Sequence, residues 1–193
     1  MPEREGAERI TDGRRRKGER RRRELLEAVL RVAVRDGIAS VTQRAVAKEA
    51  GMPPSAVLYY FATVDEMLVA ALSKVNGDYI ARVEALPEEP GPALRGLAEL
   101  IAEAADSRRA EALAEYELYM LAARRPALRA ELHRWSGCLE GVALRCAGAD
   151  PESRAAFAAA VDGLMMRMFV EEEPPDPERV YAVLRRLAPG GPR

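Results

Sequence analysis

Apolar residues recur every three or four positions along most of the chain, and this is the spacing of amphipathic helices. The first such stripe predicts a helix over about residues 19–36, which ends at Gly37. Its apolar members are Leu25, Leu26, Val29, Val32 and Ala33. Good helix formers dominate and strand-like β-branched runs are absent, so the sequence predicts an all-α protein of about nine helices.

Polar residues and prolines divide the remaining pattern into eight more helices. These are predicted over about residues 43–50, 54–60, 64–86, 93–105, 109–124, 127–147, 151–171 and 177–188. Capping residues mark several starts: Thr42, Thr63 with Glu66 three residues later, Asp150 and Asp176. Each of the two aspartates precedes a proline, which is favoured in the first turn of a helix.

The two short helices at 43–50 and 54–60 have the spacing of a helix-turn-helix. Two helices that cross steeply need a small contact residue, a glycine turn and a shared apolar residue, and Ala47, Gly51 and Val57 supply them. Four further positions face inward between these three: Val46, Ala50, Met52 and Tyr60. The pattern therefore favours a motif whose second helix lies in the DNA major groove, with a plain helical hairpin as the alternative.

Charge is uneven along the chain, although the net charge is only −1. Residues 1–60 hold 14 Lys and Arg against 9 Asp and Glu, whereas residues 61–193 hold 16 against 22. A basic first third on an acidic remainder is typical of DNA binding at one end. We predict that residues 1–18 form a disordered basic arm, which either follows DNA phosphates and the minor groove or is a solvated tail.

Other function classes find little support in the sequence. No apolar run approaches the roughly 20 residues that span a bilayer, and no apolar stretch follows the basic N-terminus, so we expect a cytoplasmic protein without a membrane partner. No phosphate loop, metal cluster or nucleophile–base pair is visible, so we expect neither an enzyme nor a cofactor or metal site. His133 is an exposed or core-edge residue rather than a ligand contact, and Cys138 and Cys146 are buried thiols or a redox sensor.

A specific set of segments lies between residues 37 and 72. They are Thr42-Gln43-Arg44, Val46-Ala47, Ala50-Gly51, Tyr59-Tyr60-Phe61 and Asp65-Glu66-Met67-Leu68. With these segments the chain resembles the tetracycline-repressor (TetR) family of bacterial regulators. The resemblance implies a homodimer that binds a near-palindromic operator in double-stranded DNA. It also implies that a small molecule of unknown chemotype, bound in the C-terminal domain, releases the DNA.

Two positions depart from the family pattern. Leu58 stands where members often have Tyr, and Val64 where they often have Lys. Both positions commonly touch phosphates in the family, and the basic arm can compensate for their loss.

We expect a helix-turn-helix domain over 19–63 and an effector-binding and dimerisation domain over 64–193. The alternative is a helical dimeric interaction protein with a vestigial DNA-binding head.

Ten residues are candidates for the DNA-binding surface: Thr42, Gln43, Arg44, Lys48, Pro53, Pro54, Ser55, Ala56, Tyr59 and Tyr60. Arg44 suits guanine O6 and N7, with a phosphate contact as the alternative. Thr42 and Gln43 can offer donors to phosphate at the start of their helix, although Thr42 can be only a cap.

The recognition helix offers its own contacts. Ser55 and Ala56 lie in its first turn, where Ala56 can meet a thymine methyl group, and the prolines before them favour van der Waals contact. Tyr59 points outward and offers its hydroxyl to a phosphate, whereas Tyr60 is in the inward register. Lys48 lies at the rim.

Aromatic and methionine side chains gather in the C-terminal part. Six of them are candidates for an effector pocket: Tyr79, Tyr116, Tyr119, Met120, Trp135 and Met165. A pocket needs apolar walls with a few polar tips, and these side chains provide both. Ordinary core packing is the alternative.

The last two helices are predicted to form the dimer interface. The candidate residues are Phe157, Val161, Leu164, Met168, Val180, Val183, Leu184 and Leu187. Paired across a two-fold axis, the two helices of each subunit would form a four-helix bundle. Packing onto their own subunit is the alternative.

Overall fold

The computed structural model describes residues 2–171, 173 and 176–188, with side chains from Arg15 onward. This part of the chain forms nine α-helices and two short 3₁₀ helices without a strand, which confirms the all-α class. The α-helices are α1 (Pro2–Asp36), α2 (Gln43–Ala50), α3 (Pro54–Tyr60), α4 (Val64–Glu84), α5 (Pro90–Ala105), α6 (Arg109–Ala122), α7 (Arg129–Ala147), α8 (Pro151–Met168) and α9 (Pro177–Arg186). The 3₁₀ helices are Ile38–Ser40 and Pro126–Leu128.

Two compact units divide the chain, the first ending at Ala71 and the second beginning at Leu72. The sequence had placed this boundary at residue 63, before the fourth helix. The first turns of α4 instead belong to the first unit, and Met67 and Leu68 are buried there. Burial of these apolar side chains, rather than the start of a helix, therefore sets the boundary.

The first helix is longer than the sequence pattern indicated. α1 begins at Pro2, so the prediction of a disordered arm over 1–18 is corrected for residues 2–18. This stretch carries no apolar stripe, and apolar periodicity was the signal used to find helices. From Arg15 onward, ion pairs one turn apart support a helix without such a stripe. Arg15 Nε, for example, lies 3.1 Å from Glu19 Oε1.

The first unit packs α1 against α2 and α2 against α3. The predicted stripe of α1 is buried throughout: Leu25, Leu26, Val29, Val32 and Ala33. Phe61 is buried after α3, and the guanidinium of Arg22 lies 5.1 Å from the centre of its ring. At the surface, Glu49 of α2 accepts hydrogen bonds from Arg31 at 2.8 Å and Arg35 at 2.7 Å, and these bonds fasten α2 to α1.

The second unit is a helical bundle in which α5 packs against α9 and α7 packs against α8. The predicted aspartate caps are confirmed. Asp150 accepts a hydrogen bond from the Ser153 N–H at 2.9 Å, and Asp176 accepts one from the Glu178 N–H at 3.0 Å. These bonds satisfy N–H groups that the first turn of a helix leaves without a partner.

Prolines explain where two helix starts differ from the prediction. α5 begins at Pro90 rather than at residue 93, because a proline in the first turn loses no helical hydrogen bond. Pro126 opens a 3₁₀ turn, and α7 follows only from Arg129. Among the described residues no single helix is long and apolar enough to cross a membrane. Taken together, α3 and α4 have sufficient length and apolar composition, but the chain bends by 67° between them.

Candidate functional sites

The turn between α2 and α3 has the geometry that the sequence predicted. Gly51 ends α2 in the left-handed region, with φ 63° and ψ 31°. Its N–H donates to the Lys48 carbonyl at 3.2 Å, and the Met52 N–H donates to the Ala47 carbonyl at 3.0 Å. Val57 is completely buried. The small contact, the glycine turn and the apolar residue that locks α3 onto α2 therefore occur together, which is the local structure of a helix-turn-helix.

Most candidate DNA contacts lie on the exposed side of this motif: Arg44, Lys48, Pro53, Pro54, Ser55 and Tyr59. Tyr59 is 81% exposed, whereas Tyr60 is half-buried and packs edge-to-face on it with ring centres 4.9 Å apart. Ala56 is partly exposed. An exposed hydroxyl or guanidinium is free to meet a phosphate or base edge, so these positions can form a contact surface.

Two candidates at the start of α2 already have partners within the chain. The Gln43 amide donates to the carbonyls of Phe61 at 3.1 Å and Ala62 at 3.0 Å. Its side chain therefore ties the start of α2 to the end of α3, and only its backbone N–H remains as a donor for phosphate. Thr42 Oγ1 accepts from the Ala45 N–H at 3.1 Å, which confirms the predicted cap and leaves its hydroxyl proton available.

The next helix start also differs in detail from the predicted capping box. The Glu66 N–H donates to Thr63 Oγ1 at 3.1 Å, as expected. The Glu66 carboxylate, however, accepts from the Ala62 N–H at 2.9 Å, one residue before the cap. This arrangement holds the residues between α3 and α4 in place behind the recognition helix.

A cavity lies within the second unit, between α4, α5, α6, α7 and α8. The space between these helices, with the open solvent at its mouth included, is about 660 Å³. Its aliphatic walls are Leu72, Val83, Leu97, Leu100, Ile101, Ala104, Val161 and Met165. Its aromatic and polar lining is Tyr79, Tyr116, Tyr119, Trp135, Asn76 and Glu115.

Five of the six predicted pocket residues are brought together in this cavity. Tyr79 and Trp135 pack edge-to-face with ring centres 6.2 Å apart, and Tyr116 and Tyr119 lie 6.0 Å apart. Met120 is the exception, because it is 60% exposed and does not line the cavity. It follows Tyr119 directly, and a helix turns successive side chains by about 100°, which places Met120 outside.

Two polar atoms of the cavity lining lack hydrogen-bond partners among the described residues. Among the described residues, Glu115 Oε1 and the Tyr79 hydroxyl are buried without a hydrogen-bond partner. Burial raises the pKa of Glu115 from 4.5 to about 8; the Arg108 charge opposes this shift, and Glu111 and Asp78 add to it. Asn76 is satisfied differently, since its amide donates to the Glu131 carbonyl at 2.9 Å.

The tyrosine hydroxyls are shifted in the same direction. Burial, followed by the Glu115 charge, raises the pKa of Tyr79 to about 12. Burial also raises the pKa of Tyr116, and Asp162 adds to that shift. At neutral pH these side chains are uncharged, so Glu115 is the group of the lining whose charge changes near neutrality.

Both parts of the chain match known protein families. Residues 88–190 match the model described as tetracyclin repressor-like, C-terminal domain, and residues 25–71 match bacterial regulatory proteins, tetR family. The HTH-type transcriptional regulator BetI of Rhizobium meliloti (strain 1021) is 30% identical over 173 residues, which cover 80% of each chain. The chain belongs to the TetR family.

Two further comparisons bear on the TetR-family chain. The regulator PksA of Bacillus subtilis (strain 168) is 36% identical over 66 residues, a match that spans 34% of this chain and 32% of PksA. The crystal structure of the multidrug binding protein EbrR complexed with ethidium is 35% identical, with a TM-score of 0.75. That match covers 88% of this chain and 99% of the EbrR chain. The TetR-family assignment therefore extends over both the head and the C-terminal domain.

The predicted dimer residues of this TetR-family chain are mostly inside its own subunit. Five of the eight are buried there: Phe157, Val161, Met168, Val180 and Leu184. Val161 lines the cavity instead, and α9 packs on α5. Leu164 and Leu187 are partly exposed and Val183 is 40% exposed. Side chains covered within their own subunit offer little surface to a partner, and the dimer interface itself stays a prediction.

Sequence reasoning also missed the polar lining of the cavity. Glu115 and Asn76 were not among the six candidates, which are aromatic residues and methionines. One signal was available: Glu115 precedes Tyr119 by four residues and therefore shares its helix face.

Proposed function

We propose that this TetR-family regulator is a homodimeric repressor that binds a near-palindromic operator and leaves it when a small molecule occupies the cavity. The observation that carries the proposal is the cavity itself. Tyr79, Tyr116 and Trp135 line one cavity with mostly apolar walls, and two polar atoms of its lining have no partner in the described residues. Unsatisfied buried polar atoms are costly in a merely structural core.

The exposed face of the helix-turn-helix supports DNA binding. Arg44 is exposed in the first turn of α2, and its guanidinium fork fits guanine O6 and N7. Tyr59 offers an exposed hydroxyl to a phosphate, and Ser55 and Ala56 lie at the start of the recognition helix. Lys48 adds a charge at the rim. Leu58 is 50% exposed, and its side chain cannot hydrogen-bond a phosphate. The other polar side chains of the motif therefore make the contacts with the DNA phosphates.

The solved complexes of EbrR support a small-molecule effector. EbrR has been crystallised with ethidium, malachite green and proflavin, all of which are aromatic dyes. The cavity of this chain has aromatic side chains on α4, α6 and α7, which suit ligands of that kind. We therefore propose an aromatic effector.

An exposed stripe on α8 supports dimerisation through a face other than the one predicted. Ala155, Ala159, Gly163 and Met166 recur every three or four residues and are all exposed. Small residues on one face allow two helices to approach closely. In a dimer the two recognition helices must lie about one turn of DNA apart, and an effector that favours another spacing lowers operator affinity by linkage.

The test is fluorescence anisotropy of purified protein on labelled DNA from beside its own gene, with a shuffled duplex as control. We expect selective binding at about 150 mM salt, where non-specific binding is weak. Arg44→Ala should cost about 1–3 kcal/mol on the selected sequence and little on the shuffled one. Lys48→Ala is the matched control on the same helix and should weaken both duplexes equally.

If wild type and Arg44→Ala bind both duplexes alike, Arg44 does not read bases. If wild type itself does not discriminate even after selection from random sequences, the chain is an interaction protein.

A further inference from the structure

Glu115 is the one acidic side chain that lines the cavity, and one of its carboxylate oxygens has no hydrogen-bond partner among the described residues. Glu115 Oε1 is buried and makes no hydrogen bond to another described residue. Placing a negative charge there is unfavourable, because Oε1 is buried and no described residue donates a hydrogen bond to it. A group held at such cost is expected to gain its partner from a molecule that enters the cavity.

The charges around Glu115 determine which kind of molecule fits. Arg108 is the basic group that acts on it, whereas Glu111 of α6 and Asp78 of α4 are both acidic. Asp78 is itself paired with Lys74 at 2.9 Å, so Glu111 is the acid of this set without an ion pair to another described residue. On the neighbouring helices, Glu103 of α5 is engaged by Arg82, and Asp162 of α8 acts on Tyr116 and Tyr119. From α7 the cavity receives Trp135 and no charge. An anion would meet this excess of carboxylates, so the cavity disfavours acidic effectors.

The aromatic rings favour a cation as well. The Arg108 guanidinium lies 4.8 Å from the centre of the Tyr79 ring, so one face of this ring already meets a positive charge. Trp135 stands against Tyr79 at an interplanar angle of 72°, and Tyr116 lines the same cavity. Electron-rich faces on several sides stabilise a flat cation beyond the area that it buries.

We propose that the cavity takes a flat aromatic monocation whose charge lies against the Glu115 carboxylate, and that binding releases the Glu115 proton. This inference rests on the proposed effector site and adds its ligand class and its dependence on pH. The proton leaves the Glu115 carboxyl group for solvent, and the ligand charge takes its place as the partner of the carboxylate.

The coupling has a definite sign and size. Because burial raises the pKa of Glu115 to about 8, the carboxyl group is mainly protonated at neutral pH in the empty cavity. The cation binds the ionised form, so its affinity falls as pH falls below the pKa, by about tenfold per pH unit. Above the pKa the affinity is constant.

The test uses ethidium and the full-length protein without DNA. Ethidium carries a permanent positive charge, so a pH profile between about pH 6 and pH 9 reports protein groups only. Binding is followed by ethidium fluorescence and by quenching of Trp135, the only tryptophan of the chain and part of the cavity wall. We expect the wild-type affinity to be about 100-fold weaker at about pH 6 than above pH 8.

Two variants assign the effect. Glu115→Gln keeps the shape of the side chain and removes its charge, so it should abolish the pH dependence and weaken ethidium binding above pH 8 by at least about tenfold. Glu140→Gln removes an exposed acid of α7 outside the cavity lining and should retain the profile of the wild type. Malachite green and its uncharged leuco form provide a second comparison, in which Glu115→Gln should lose affinity only for the cation.

Three outcomes would overturn the inference: a wild-type affinity for ethidium that does not change with pH, an unchanged affinity in Glu115→Gln, or equal binding of the charged and uncharged dyes. None of these concerns DNA. Failure of the effector mechanism appears elsewhere, as operator binding that a saturating dye does not change. A protein with the expected pH profile but no operator release would therefore support the cation site and contradict release by the effector.

Discussion

Replacing Glu115 by Gln should change how the stability of the empty protein depends on pH. The pKa of Glu115 is raised from 4.5 to about 8 by burial, so the folded protein retains this proton more strongly than the unfolded chain does. Folding is therefore favoured at low pH, and this contribution is lost as pH rises toward the folded pKa. The sign is opposite to that of an acid held in an ion pair.

The magnitude follows from the size of the shift. A change from 4.5 to about 8 corresponds to at most about 5 kcal/mol, since each pKa unit is worth about 1.4 kcal/mol. About 4 kcal/mol of this falls between pH 5 and pH 8.5, because the loss begins near the unfolded pKa and ends near the folded one. Between about pH 5 and pH 8.5 the free energy of unfolding of wild type should fall by that amount relative to Glu115→Gln.

Urea denaturation followed by Trp135 fluorescence measures this difference, because Trp135 lies in the unit that contains Glu115. Comparing the two proteins at both pH values cancels the other titrating groups, Asp162 included. Glu140→Gln, at an exposed acid of α7 outside the cavity lining, is the control and should behave as wild type. A difference between wild type and Glu115→Gln that stays constant over this pH range would refute the reasoning, because it would mean that Glu115 titrates normally.

Two other predictions test the fold. Gly51→Ala should destabilise the protein by about 1 kcal/mol in thermal or urea unfolding. The backbone φ of Gly51 is 63°, and an added Cβ would meet nothing within 4 Å, so backbone strain is the cause of the loss. Gly141→Ala, within α7 and equally free of contacts, should instead stabilise the protein by about 0.5–1 kcal/mol. A stability change of the same sign in both variants would contradict this account. Met166→Arg on the exposed face of α8 should shift sedimentation toward the monomer, whereas Leu144→Arg, similarly exposed on α7, should not. A dimer that survives the change at Met166 would place the interface elsewhere.

The head could be predicted almost entirely from local sequence signals. Gly51 ends α2 because its left-handed conformation suits glycine, and Thr42 caps α2 because its hydroxyl reaches the third N–H of the helix. Both effects act within a few residues. The course of α1 before residue 19 was missed because helix propensity and i,i+4 charges leave no apolar pattern.

The cavity and the packing of the last helices were decided by tertiary structure. Apolar periodicity shows that Phe157, Val180 and Leu184 face something, but the pattern is the same whether that neighbour is another helix of the subunit or a second subunit. The fold assigns them to the subunit's own core. The sequence likewise places Glu115 on the face of Tyr119, yet its missing partner and its raised pKa arise from side chains on five helices. Desolvation depends on everything that surrounds a group in three dimensions, and residues distant in the chain supply most of it here.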